Sequence, residues 1–435
     1  MAKTITIDEA LALVKDNYKI AVGDATVEPQ AFMSNLHKIL DKDRGLSIWT
    51  CLTLRSYPFL EDRKYGNNIK INSLFFSGPM RNAYNLLDTV SYVPSHLRKT
   101  AIAICAGGDP DLFVGTCTPP NKDGKVSLGL SNIYDREVLK RAKTVIMEVN
   151  PNMPFTHGDA IIDQDEIDYF VPVDFPMLQD RPAPVNEKDK TIGGYISQFI
   201  KDGDNLQIGI GSIPNSVVQF LETKKDLGIH TELLGDGIAE LAKKGIVNGS
   251  KKTLNKGKIV TSIVMGTDKV YEFVNNNPDV LVMDCSYCNA YETLAKNDNQ
   301  VSINTTLEVD LMGQCCSESI GQKQYSGTGG QADTAIGAQM AKNGRAFIAL
   351  YSTANIRTGN GDERKEISRI VPQLKPGATV SLMRNDLQYL VTEYGVVNLR
   401  GLSIADRAKA IISIAHPSFR EELTAKAKEL GLIKG

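Results

Sequence analysis

The chain has 435 residues, 42% of them hydrophobic and 23% charged, the proportions of a soluble globular protein with more than one core. Its 49 basic and 51 acidic side chains leave a net charge of −2, which gives no electrostatic footprint for nucleic acid or an anionic membrane. No apolar run is long enough to span a membrane and "MAKTITIDEALALV" has no secretory pattern, so a cytoplasmic protein is expected.

In chain order, Asp8 and Glu9 mark the start of a first helix. Strand-length, β-branched runs then recur: "YKIAV", "SLFF", "AIAIC", "TVIMEV", "LQIGI", "IVTSIV", "FIAL" and "ATVSL". Between them stand segments with apolar residues at spacings of three and four, such as "EPQAFMSNLHKIL", "REVLKRA" and "NSVVQFLETK". Strand and helix in alternation predict parallel sheets covered by helices. Residues 179–191, "QDRPAPVNEKDKT", read as a linker, so an N-terminal α/β domain over 1–185 and a C-terminal one over 186–435 are expected.

The two halves echo each other. "YKIAVGDATVEPQAFMSNL" and "DNLQIGIGSIPNSVVQFL" both read strand, glycine turn, proline, amphipathic helix. "GLSIWTCL" then parallels "LGIHTELL", aligning Ile48 with Ile229, Thr50 with Thr231 and Cys51 with Glu232, and "LFFSGPM" parallels "SIVMGTD". The expected architecture is α/β with two similar, open α/β/α domains, internally duplicated. Only the second copy places a glutamate after the strand.

Open parallel sheets bind ligands beyond the carboxyl ends of their strands, where Glu232 falls, and "GDG" after it lets backbone approach a ligand. A carboxylate bonded only to backbone amides remains the alternative. "QIGIGSIP" (Gln207–Pro214) aims backbone N–H groups and a helix start at an anion, or is simply a tight turn. It lacks the third glycine of the dinucleotide fingerprint and the lysine of a phosphate loop. "YSGTGGQADTAIGAQMA" crowds Gly327, Gly329 and Gly330 before a small-residue helix, which suits an extended ligand lying against backbone; "CAGGDP" is a weaker case. Further carboxylates are Glu318, Glu393 and Asp310, and His416 reads as a structural helix-end histidine. There is no GxSxG elbow. Seven cysteines, including "CSYC" at Cys285 and Cys288, read as buried reduced thiols, and the five histidines show no metal-ligand spacing, so no metal is expected.

Motifs along the whole chain resemble the acetyl-CoA hydrolase/transferase family, most closely its 4-hydroxybutyrate and butyryl-CoA:acetate CoA-transferases. They are "PPNKDGKVSLG", "AKTVIMEVN", "IGIGSIP", "LGIHTELLGDG", "VDLMGQ", "YSGTGGQAD", "SRIVP", "VTEYG" and "RAKAIISIAHPSFR". The resemblance implies an active site at the domain interface with Glu232 as the catalytic residue. It also implies CoA contacts at Gly209, Ile210, Gly211, Ser212 and Ile213, at Leu307 and at Gly330. CoA and acyl-CoA would be substrates, with no permanently bound cofactor. Partners would be acyl-CoA and carboxylic acids, in a homo-oligomer (dimer or tetramer). The implied reaction moves CoA between a short-chain acyl-CoA and acetate or a similar acid through glutamyl intermediates. Acyl-CoA hydrolysis by the same glutamate is the alternative. A sugar-phosphate isomerase would want a cation beside "HTELLGDG", and a non-catalytic binding module would hold CoA inertly.

Overall fold

The computed structural model describes residues 2–181, 184–209, 211–358 and 363–434. Apolar, β-branched runs form its central strands because residues of a parallel sheet are covered on both faces; all six residues of Leu112–Cys117 are buried. The first sheet comprises β1 (Lys3–Thr4), β2 (Lys19–Val22), β3 (Ser47–Leu52), β4 (Lys70–Phe75), β5 (Val90–Tyr92), β6 (Leu112–Cys117), β7 (Val145–Val149) and β8 (Tyr169–Pro172). They lie in the order β1-β8-β7-β6-β2-β3-β4-β5, every pair parallel.

The second half repeats this plan with β9 (Asn205–Ile208), β10 (Gly228–Ile229), β11 (Ile259–Thr261), β12 (Val280–Val282), β13 (Gln300–Thr305), β14 (Arg345–Ala349), β15 (Tyr389–Thr392) and β16 (Gly395–Asn398). Its sheet runs β10-β9-β13-β14-β15-β16. A parallel bridge between His230 and Val260 extends it to β11, which pairs with β12. Read from its edge, β12-β11-β10-β9-β13-β14-β15-β16 matches β5-β4-β3-β2-β6-β7-β8-β1 strand for strand. The last positions differ, since β16 pairs antiparallel to β15 as a hairpin. The chain is thus a duplicated α/β protein, as its three sequence echoes predict.

The halves share a core. One apolar cluster takes Ala21, Cys51 and Leu74 from the first and Ile229, Leu234 and Val264 from the second. Backbone bonds cross between them, from Asn132 N to Ser262 O (2.9 Å) and from Val264 N to Leu130 O (2.6 Å).

Three local expectations are overturned. "AIAIC" belongs to a helix, Thr100–Cys105, that buries Thr100 and Ile104 on one face and leaves Ile102 65% exposed. A five-residue apolar run does not separate strand from helix by periodicity. "ATVSL" follows the turn at Gly377 (φ 81°) without forming a strand; Leu382 alone bridges to Cys315, and Val380 is exposed. The linker ends earlier than its composition suggests. Asn186 and Asp189 form a capping box that starts the helix Glu187–Ser197, a stronger signal than the charges within it. The first helix does start where expected, at Ile7, with Thr6 and Glu9 as its capping box.

Candidate functional site

Glu232 lies three residues beyond the end of β10, on the carboxyl edge of the second sheet. Its main chain is tied down before the side chain does anything. The Glu232 carbonyl accepts from Ser262 N (3.1 Å), Ile263 N (2.9 Å) and Thr261 Oγ1 (3.2 Å). The Thr231 hydroxyl is bonded to both backbone groups of Ile208, at the end of β9. The carboxylate therefore projects from an anchored turn.

Two donors meet it. Asn289 Nδ2 donates to Glu232 Oε2 at 2.9 Å, and the Gly330 N–H favours the charged form from the start of the helix Gln331–Met340. Some of the side chain remains accessible, but protein surrounds the carboxyl group, and burial pushes its pKa up to about 7 against those donors. The Asp333 carboxylate adds to the rise. Asp333 is itself raised to about 6 by burial and is held by Arg98 of the first half, at 2.9 Å from Nε and 3.2 Å from the backbone N. The Arg98 guanidinium stacks 4.1 Å from the centre of the Tyr291 ring.

Cys51, which the duplication aligns with Glu232, sits across the interface and feels its charge. Burial, then Asp24 and Glu232, push this thiol well above its usual range. The alignment thus joins two residues that face each other between the halves.

The glycine loop 325–330 is wedged at the same interface. A β-carbon on Gly327 would stand 2.7 Å from Leu74 O and 2.8 Å from Phe75 Cδ2. First-half groups hold the loop on either side: Leu97 N donates to Gly329 O (3.0 Å) and Arg81 Nη1 to Tyr325 O (3.0 Å). The Thr328 N–H donates to Tyr92 OH (3.2 Å), and Thr328 Oγ1 to Glu318 Oε2 (2.7 Å).

Of the other expected contacts, Gly209 donates to Ile303 O (2.9 Å) and Gly211 caps the helix Ser212–Gln219 with φ 124°. Pro214 lies inside that helix, two residues after its start. Ile210 falls outside the described residues. Gly211, Ser212, Ile213 and Leu307 line a groove of about 220 Å³ with Thr305, Thr306, Tyr351 and Arg369. Ser212 Oγ donates to Asp189 Oδ1 at 2.9 Å, which fixes the loop. Gly330 stands away from this groove, against Glu232. A larger cavity of about 640 Å³ lies on the other side of Gly211 and Ser212; its walls include Leu233 and Gly235 but not Glu232. Arg369 stands on the wall of the groove, and Arg181 and Lys244 on the wall of the larger cavity.

The remaining candidates separate from the site. Glu393 is held below the usual carboxylate range by Ser352 and Lys188. Asp310 accepts from the backbone of Met312 and Gln314. His416 caps the helix Pro417–Glu429, a structural role. "CAGGDP" lies at the wrong edge, since Gly108 O accepts from Lys19 Nζ at the amino end of β2. All seven cysteines are free and buried. Sequence reasoning missed Asn289, Arg98, Asp333 and, as a groove residue, Arg369. Asn289 directly follows "CSYC", a stretch read only for its thiols.

Residues 1–177 match the acetyl-CoA hydrolase/transferase N-terminal domain and residues 266–427 the C-terminal domain of that family. The chain is 41% identical over 428 residues to a 4-hydroxybutyrate coenzyme A transferase of Clostridium kluyveri, covering 98% of this chain and 97% of that protein. It is also 41% identical to a succinyl-CoA:cyclohexane-1-carboxylate CoA transferase of Geobacter metallireducens, covering 98% and 95%. The crystal structure of RipA from Yersinia pestis superposes with a TM-score of 0.89 at 33% identity, covering 99% of this chain and 98% of that one. The chain belongs to the acetyl-CoA hydrolase/transferase family.

Proposed function

We propose that the protein is a CoA-transferase that moves CoA between a short-chain acyl-CoA and a carboxylic acid, with Glu232 as the nucleophile. The observation that carries this reading is the pair of donors, Asn289 Nδ2 and the Gly330 N–H, around a buried carboxylate that has no ion-pair partner among the described residues. Such a site does not neutralise the carboxylate, yet it is prepared for negative charge on one of its oxygens.

Glu232 Oε1 attacks the thioester carbonyl carbon. The C–S bond breaks, CoA leaves as thiolate with the bonding electron pair, and an acyl-glutamyl anhydride remains. The thiolate then attacks Glu232 Cδ, and charge develops on Oε2, the oxygen already bonded to Asn289. Breaking the Cδ–O bond releases the free carboxylate and leaves a glutamyl-CoA thioester. An acceptor carboxylate reverses both steps. No proton is taken or given, so no general base is needed. Gly211, Ser212, Ile213 and Leu307 position the CoA along the groove beside Arg369, Gly209 borders the larger cavity next to it, and Gly330 approaches from the Glu232 side; Ile210 joins this set on the resemblance alone.

The same proposal includes a cytoplasmic homo-oligomer without a permanently bound cofactor. Among the described residues no helix is long and apolar enough to cross a membrane. The test is CoA exchange between butyryl-, propionyl- or 4-hydroxybutyryl-CoA and a panel of acids that includes acetate. New acyl-CoA formed only when an acid is present supports transfer. Thioester loss at a rate indifferent to added acid would replace it with hydrolysis.

A further inference from the structure

The turn that delivers Glu232 contains a histidine with no free nitrogen. His230 is fully buried, two residues ahead of Glu232. Its Nε2 lies 2.8 Å from the Cys288 carbonyl oxygen, which can only accept, so Nε2 carries the proton. Its Nδ1 lies 3.2 Å from Asn297 Nδ2. The amide is oriented by Leu254, whose N–H donates to Asn297 Oδ1 at 3.2 Å and leaves Nδ2 facing the ring. Both nitrogens of the neutral imidazole are therefore committed. Burial and the Lys252 ammonium push its pKa down to about 3. Lys252 is buried beside it and donates to the carbonyls of Ile229 (2.7 Å) and Lys258 (2.8 Å).

A second bond runs between the same segments, from Cys288 Sγ to Thr231 O at 3.2 Å. Residues 230 and 231 are thus clamped to residue 288. The next residue on each side is a member of the Glu232–Asn289 pair.

We propose that His230 is a positioning residue: by holding the Cys288 carbonyl it fixes the turn that carries Asn289, and so sets the Asn289–Glu232 hydrogen bond without exchanging a proton itself. This rests on Glu232 being the nucleophile. The groups facing the Glu232 carboxylate are the Asn289 amide, the Gly330 N–H, Asp333 with its Arg98 partner, and the thiols of Cys51, Cys285 and Cys288. His230 holds the segment that carries two of them, the Cys288 thiol and the Asn289 amide, and of these the amide donates to the carboxylate.

The experiment first traps the wild-type adduct with acyl-CoA and borohydride and maps it. An adduct absent from Glu232 sinks the nucleophile reading whatever His230 does. With the adduct on Glu232, His230→Phe and His230→Gln are compared for turnover, KM for acyl-CoA and the pH midpoint of adduct formation. Phenylalanine cannot hold the carbonyl, so turnover falls at least about tenfold, since small misplacements cost that much or more. KM changes little and the midpoint rises as Glu232 loses its donor. Glutamine can donate to Cys288 and accept from Asn297, so it restores turnover and the wild-type midpoint. A folded His230→Phe with unchanged turnover and midpoint overturns the inference. If His230→Phe does not fold, His230→Gln decides: an active protein supports positioning, and a folded but silent one shows that imidazole chemistry is required.

Discussion

Gly330 stands so close to Glu232 that a β-carbon there would overlap both Glu232 Oε2 and Asn289 Nδ2. The glycine is needed for this approach, because its φ of −100° is open to any residue. Gly330→Ala should therefore push the carboxylate away from its donors. We expect turnover to fall at least about a hundredfold, the scale on which a displacement of roughly 1 Å acts. Overpacking should also cost about 1–3 kcal/mol of stability. Steady-state kinetics with a thermal melt checks both, and an active Gly330→Ala would mean that the contact is slack.

Burial of Glu232 has two opposite consequences with pH. The nucleophile must be ionised, so adduct formation should rise through about pH 7, where the carboxyl titrates. Stability runs the other way. The folded state holds the proton up to about pH 7 and the unfolded chain loses it near 4.5, so stability drops as pH rises between these values. The full loss, present above about pH 7, is roughly 3 kcal/mol. Glu232→Gln should therefore melt higher than wild type at alkaline pH and lose that advantage on acidification below about pH 4.5. Equal melting differences at both extremes would count against a strained carboxylate.

Asp333 is the negative charge that raises Glu232, and Arg98 is its partner across the halves. Asp333→Asn removes the repulsion and leaves the Arg98 charge, so both changes act in one direction. The pH midpoint of adduct formation should move down. A midpoint that stays or rises would show that the two carboxylates are not coupled. Arg98→Ala, by contrast, takes the guanidinium from a buried Asp333 that keeps the backbone N–H of residue 98 and His96 Nδ1 at 3.9 Å, and should lower the melting temperature.

Gly211 separates space from conformation. A β-carbon there would meet only Pro214 Cδ, at 3.8 Å, so there is room for a side chain. Its φ of 124° is the obstacle, and a β-branched residue would be strained by about 1–3 kcal/mol. Gly211→Val should re-form the turn in another conformation, displace the groove wall that Gly211 shares with Ser212 and Ile213, and reduce transfer about a hundredfold, the scale on which a displacement of roughly 1 Å acts. Unchanged kinetics in the folded variant would reduce the loop to a turn.

The fold was legible because its signals are local. Alternating runs gave the sheets, and the pairing of Cys51 with Glu232 carried the duplication down to equivalent strands. Glu232 itself was legible as a strand-end carboxylate before a glycine turn. Its surroundings were not. Asn289 is 57 residues away and Gly330 still further, and the Arg98–Asp333 pair spans 235 residues. Contacts of that separation leave no periodic trace in a single sequence. "AIAIC" and "ATVSL" failed for the opposite reason, as short apolar runs whose state is settled by tertiary packing.

The most direct measurement is mass spectrometry of the protein after mixing with butyryl-CoA in the absence of any acceptor acid. Nucleophilic catalysis by Glu232 predicts a protein heavier by one CoA less one water, with the modification on the peptide that contains Glu232. Borohydride should inactivate only enzyme exposed to the acyl-CoA, because it reduces a thioester and spares a carboxylate. Acceptor acid added before the borohydride should discharge the adduct and protect activity. An unmodified protein that still exchanges CoA with sequential kinetics, or an adduct on Glu318 or Glu393, would contradict the account.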